Sequence, residues 1–181
     1  MRDTVSNLKA HLPAAKCLPP SIDLNRLLDR PRMLDTLLEA WNHSAVLMLD
    51  GPPGQGKTVL ALQAYLTVPG PRAWFNAGPE DHTPVVWILA LMECIGTALP
   101  DLDLTPAYAV LENADEPVEK GRRTLNLLLK LLAADGRSLH LCFDRLEQIH
   151  GHDETLLLLQ HLVTTAPPNL RFLLSGQRFA P

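Results

Sequence analysis

Eight residues, Gly51-Pro52-Pro53-Gly54-Gln55-Gly56-Lys57-Thr58, fit the pattern G-x-x-x-x-G-K-[ST], and each type suits the holding of a polyphosphate. Glycine lets the backbone curl so that successive N–H groups face phosphate oxygens, where a Cβ would obstruct them. Lys57 can reach the β- and γ-phosphates as a point charge, and the Thr58 hydroxyl can ligate Mg2+. A helix starting near Lys57 adds the positive end of its dipole to the same anion. The nucleotide-binding set read from this stretch is Gly51, Pro52, Pro53, Gly54, Gln55, Gly56, Lys57, Thr58 and Val59, with ATP or ADP and Mg2+ as ligands.

Phosphate binding becomes hydrolysis only when a second strand brings a carboxylate to the metal. Leu139-His140-Leu141-Cys142-Phe143 is strand-like and mostly apolar, and Asp144 stands at its carboxyl end. There it would hold Mg2+, through water, opposite Thr58. A turn or N-cap aspartate is the plainer explanation of an acid after a strand; the phosphate loop upstream favours the metal role. Glu147 is a candidate for polarising the attacking water, against a plain reading as a solvated loop carboxylate. Many ATPases place glutamate directly after the metal aspartate. Here that position is Arg145, so slow hydrolysis is expected. Arg178, just past the last apolar strand, is placed to meet the γ-phosphate, unless it is an ordinary surface arginine. The expected catalytic residues are therefore Lys57, Glu147 and Arg178, and the expected metal residues Thr58 and Asp144.

Other chemistries fit poorly. Leu174-Ser175-Gly176-Gln177 is similar to the signature peptide of ABC transporters but follows the aspartate strand and lacks a second glycine. The histidines at 150, 152 and 161 match no standard zinc spacing and have no cysteine pair beside them. No Asn-Lys-x-Asp segment is present to read guanine.

The elements that must position these residues alternate. Apolar spacing predicts a helix from about Pro31 to Trp41, with Met33, Leu34, Leu37, Leu38 and Trp41 on its apolar face. Strands are expected at 46–49, 73–76, 139–143 and 170–174, and helices at 58–66 and 84–99, through 125–132, and from a cap at Asp153 to Pro167. Residues 100–117 are acidic and contain proline, and read as a long surface connection with one helical turn. Strands that are continuously apolar and separated by helices imply a parallel sheet covered on both faces. The expected fold is a three-layer α/β P-loop NTPase of about four strands. Residues 1–26 read as a partly irregular lead-in and 27–181 as the domain.

With 46% hydrophobic and 20% charged residues among 181, the chain has an ordinary globular balance and length for one core. A net charge of −4 gives no broad attraction to nucleic acid, so this segment is not expected to bind it directly. Cys17, Cys94 and Cys142 are odd in number and distant in sequence, which reads as reduced cysteines of the cytoplasm. The N-terminus lacks a signal peptide's apolar stretch, and Val85 to Leu99 is too short to cross a bilayer.

With those residues in place, the chain resembles the nucleotide-binding domain of STAND-class ATPases, in particular the branch of MalT-like and other large LuxR-type transcriptional regulators, from about Leu27 to Pro181. Arg30-Pro31-Arg32-Met33-Leu34 looks like a segment that precedes the phosphate loop there, which implies a place for Arg30 in the nucleotide pocket. Trp74-Phe75-Asn76, with Asp81, Pro84 and Trp87, is similar to that branch's tryptophan strand and following helix. Asp144-Arg145-Leu146-Glu147-Gln148 resembles its metal-binding strand end, and Arg178 the arginine closing its fourth strand, although Ser175-Gly176-Gln177-Arg178 carries an extra residue. The resemblance implies a switch that rests with ADP, exchanges it for ATP, self-associates and resets by hydrolysis. It also implies helical, sensor and DNA-binding parts beyond Pro181, and a fifth strand not reached by this chain. An AAA-type motor or loader, a small-molecule kinase and a non-hydrolysing scaffold are the competing readings.

Overall fold

Right-handed connection of parallel strands dictates which face each helix covers. The structure, a computed structural model, describes residues 5–10, 12–23, 30–113 and 116–177. Its four strands are β1 (Val46–Asp50), β2 (Arg72–Asn76), β3 (Leu139–Asp144) and β4 (Leu170–Gly176), all parallel and ordered β1-β4-β3-β2. The chain leaves β1, crosses to the far edge through one helix, and returns strand by strand. The outward crossover and the return crossovers therefore lie on opposite faces.

The helices are α1 (Val5–Ala10), α2 (Pro31–His43), α3 (Lys57–Thr67), α4 (Pro84–Ala98), α5 (Thr105–Asn113), α6 (Pro117–Asp135) and α7 (Asp153–Thr165). Leu37 and Trp41 of α2, with Leu60, Ala61 and Ala64 of α3, pack on Trp74, Cys142 and Leu173 of the sheet. Their neighbours along the strands, Phe75, Phe143, Phe172 and Leu174, face the other way and meet α4, α6 and α7. Alternation along each strand thus supplies two apolar faces from nearly continuous apolar runs. This is the three-layer α/β architecture expected of a P-loop NTPase.

Helix ends follow local chemistry. Pro117 opens α6, where its missing N–H costs nothing, while the Glu116 carboxylate accepts from Val118 N at 3.2 Å and Glu119 N at 2.7 Å. Gly136 stops the same helix at φ 74°.

Four sequence expectations are corrected. Residues 105–113 form a nine-residue helix rather than one turn. Leu104, Ala107 and Leu111, buried at helical spacing, supply the stripe that the surrounding Asp and Pro obscure. Met33 is 50% exposed and lies outside the buried face of α2. His152, not Asp153, precedes the first turn of α7, and no side chain caps it. Cys17 and Cys94 are paired as a disulfide with their Cα atoms 4.7 Å apart, and Cys142 alone is free among the described cysteines. Separation in sequence said nothing about separation in space.

Candidate nucleotide-binding site

The carboxyl ends of the four strands form one edge, and parallel register sets what meets there. Asp50 is opposite Gly176, Leu49 opposite Ser175, Phe143 opposite Leu174 and Asn76 opposite Asp144. Ligands of open parallel sheets bind beyond this edge.

Between β1 and α3 the backbone takes left-handed conformations at Gly54 and Gly56, both at φ 79°, which a side chain would strain. Gly56 precedes α3, and Leu60 N donates to its carbonyl at 2.9 Å, so the helix begins directly beneath the loop. The Lys57 ammonium folds back onto the loop, donating to Gly51 O at 2.6 Å and Pro52 O at 2.8 Å. Arg30 donates to Gln55 O at 3.0 Å, and its guanidinium lies 3.8–3.9 Å from where a Cβ on Gly56 would be.

Across the gap, Thr58 Oγ1 donates to Asp144 Oδ1 at 3.1 Å. Asp144 is buried, and the Ser175 hydroxyl and the Arg145 backbone N–H also donate to it. Burial nevertheless raises its pKa, the three donors oppose that rise, and the nearby Glu147 adds to it. Arg145 follows in a left-handed backbone conformation at φ 62°, uncommon for a residue with a side chain. It turns the chain sharply into the single 3-10 turn Leu146–Ile149, so that Glu147 returns towards the loop.

These residues enclose a hollow of about 310 Å3 lined by Pro53, Gly54, Gly56, Lys57, Thr58, Asp144, Arg145, Glu147, Ser175, Gly176 and Gln177. That volume is within the range of small-ligand sites. The donor set is hard oxygen, a hydroxyl and a carboxylate, which suits Mg2+ rather than a softer metal.

The structure therefore brings together Lys57, Thr58, Asp144 and Glu147. Gly51, Pro52 and Gln55 contribute carbonyls to neighbouring cations rather than lining the hollow, and Val59 is half-buried in the first turn of α3. Arg178 lies outside the described residues. Sequence reading missed Ser175, Gln177 and Arg145 as walls of the hollow. A serine directly after the apolar run Phe172–Leu174, whose Leu174 pairs with the residue before the acid, was the available signal. Glu147 Oε2 is buried and has no hydrogen-bond partner among the described residues.

Comparison with protein-family models finds no match, and comparison with curated proteins finds none. Among solved structures, the chain is similar to "Structure of C. elegans PCH-2" at 12% identity and a TM-score of 0.39. The likeness covers 83% of this chain and 38% of that one, so this chain spans well under half of that protein's length. What bears on function is the geometry of the hollow itself. No helix among the described residues is long and apolar enough to cross a membrane.

Proposed function

We propose that this domain binds ATP and ADP with Mg2+ and hydrolyses ATP slowly. The observation that carries the reading is the 3.1 Å bond from Thr58 Oγ1 to Asp144 Oδ1, directly beneath the phosphate loop. Thr58 Oγ1 and, through water, Asp144 would hold Mg2+, which would supply positive charge against phosphate oxygens. Lys57 exchanges its two carbonyl partners for phosphate oxygens, which are stronger acceptors for an ammonium. Loop N–H groups and the start of α3 complete the cradle. Glu147, with one carboxylate oxygen unpartnered among the described residues, accepts a proton from the attacking water; Arg145 holds the position directly after the aspartate, so low turnover is expected. Arg178 completes the set as a contact to the γ-phosphate, and Arg30 closes the pocket over Gln55.

On this reading the chain is an ADP/ATP switch of the cytoplasm, with residues 27–181 as the nucleotide-binding unit and 1–26 as its lead-in. Nucleotide-dependent self-association and further helical, sensor and DNA-binding parts belong to the same proposal, as the STAND resemblance implies. An AAA-type motor or loader is the second reading, supported by the same parallel sheet and loop; it differs in demanding rapid, oligomer-stimulated turnover.

Calorimetric titration with Mg-ADP and Mg-ATP tests the proposal. Binding in the micromolar range is expected. Lys57→Ala should weaken it about 10- to 100-fold, corresponding to a charge-assisted contact of about 1.5–3 kcal/mol. No heat at millimolar nucleotide, from folded protein, would refute nucleotide binding. Turnover well below about 10 per second favours the switch, and faster turnover the motor.

A further inference from the structure

Residues 12–23 do not merely precede the domain; they form a strap across the carboxyl end of β2, held at several points. The Asn76 amide donates to Ala15 O at 2.6 Å and Leu18 O at 2.7 Å, bracketing Cys17. Lys16, 3% exposed, forms ion pairs with Asp81 and, at 2.7 Å, with Glu80, and its ammonium stands 4.7 Å from the Phe75 ring centre. Cys17 is bonded to Cys94 of α4, a closure of 77 residues. The strap forms one wall of a cavity of about 510 Å3, with Pro13, Leu18 and Pro20 on its side, Asn76 and Pro79 opposite, and Arg145 at its margin. Arg145 also lines the phosphate hollow.

Reduction would exchange a covalent tie for weak ones. Cys17 Sγ is 3.7 Å from Ala90 O and Cys94 Sγ is 3.8 Å from Lys16 O, so reduction leaves only weak S–H contacts where the covalent link had been. Cys17 is half-buried, whereas Cys94 is 1% exposed, which makes Cys17 the sulfur open to attack.

We propose that Cys17–Cys94 is a reducible latch that shuts the strap over the end of β2 and, when reduced by a dithiol, releases it beside Arg145. A thiolate of the dithiol attacks Cys17 Sγ, the S–S bond breaks, and Cys94 leaves and takes a proton. The second thiol of the reductant then attacks the mixed disulfide, freeing Cys17 as a thiol and leaving the reductant as a disulfide. Two electrons and two protons pass to the protein. The latch stands on the strap's own contacts; its effect on the phosphate hollow rests on the nucleotide reading above.

Hydrogen exchange of the whole chain, oxidised by glutathione disulfide and then reduced by dithiothreitol, tests this. The amides of Lys16 and Leu18, bonded to Pro13 O and Ala15 O, should exchange at least tenfold faster after reduction. Cys17→Ser should show the fast rates in either buffer, with the remaining β-sheet amides unchanged. Iodoacetamide should label Cys17 only after reduction, while buried Cys142 stays unlabelled throughout. Exchange rates equal within twofold in the two states, or full labelling of Cys17 in the oxidised buffer, would overturn the latch. ADP affinity should change at least threefold between the states. Absence of ADP binding in both refutes the nucleotide reading alone, since the exchange rates still decide the latch.

Discussion

Thr58 Oγ1 and Asp144 Oδ1, 86 residues apart in sequence, lie 3.1 Å apart at the carboxyl edge of the sheet. The first heads α3 and the second ends β3, and they meet because β4 lies between β1 and β3 in the sheet. Lys57 meanwhile donates to two carbonyls of the loop itself, Gly51 O and Pro52 O. On the proposed reading, phosphate oxygens take the place of these neutral acceptors.

Asp144→Asn should separate stability from metal binding. Burial raises the carboxyl pKa above its ordinary value of 3.8, so the folded state favours the protonated form. Stability therefore falls as pH rises from that value through the raised one, in the absence of metal. Asparagine stays neutral and keeps an acceptor for the Thr58 and Ser175 hydroxyls. Metal-free Asp144→Asn should melt at or above wild type at pH 8. It should also lose the Mg-nucleotide stabilisation, about 2.7 kcal/mol at a hundredfold excess over Kd, which for this size amounts to roughly 5–10 °C.

Glu147→Gln should leave the affinity for Mg-ADP within about twofold of wild type, because Glu147 is assigned to water rather than to phosphate. Turnover should fall by roughly 10²- to 10⁴-fold, the usual contribution of a general base. A phosphate-release assay on saturated protein measures it. Unchanged turnover would remove Glu147 from the mechanism.

Stability below neutral pH should depend on His140. The ring is packed edge-on to Trp41 at 5.0 Å, and burial lowers its pKa; Arg171 lowers it further, while the Pro71 carbonyl opposes. The folded state holds the neutral ring, so this contribution is complete above the ordinary value of 6.5 and is lost as pH falls below it. His140→Leu should flatten the dependence of urea stability between that value and pH 5, removing a slope of at most about 1.4 kcal/mol per pH unit. An identical slope in both proteins would exclude His140 as its source.

Gly121→Ala sets helix propensity against packing. Alanine favours α6 by about 1 kcal/mol. Its Cβ, however, would fall 2.8 Å from Leu158 Cδ1 and 3.1 Å from Ile88 Cδ1, both in fully buried side chains. Overpacking of this kind costs about 1–3 kcal/mol, so a net loss of up to about 2 kcal/mol is expected by chemical denaturation.

Much of the site was legible because its residues are local. The loop from Gly51 to Thr58 carries its pattern in eight consecutive positions, and Asp144 declares itself by ending an apolar run. Helix α5 was obscured because Asp and Pro around 100–106 mask the three buried positions Leu104, Ala107 and Leu111. Lys16 was unreadable as a buried residue, since a lysine is buried only where carboxylates neutralise it. Its partners Glu80 and Asp81 lie more than sixty residues away, at separations of 64 and 65.

Composition and periodicity by themselves determined the alternating elements, the parallel class and the phosphate loop, because backbone turns, apolar periods and glycine conformations are set by near neighbours. Only the tertiary arrangement decided that Ser175 donates to the Asp144 carboxylate, that Lys16 is buried against Asp81, and that Cys17 reaches Cys94. Those pairings depend on strand order and register, which are settled by burial of the whole sheet between its helices and leave no trace at any single position.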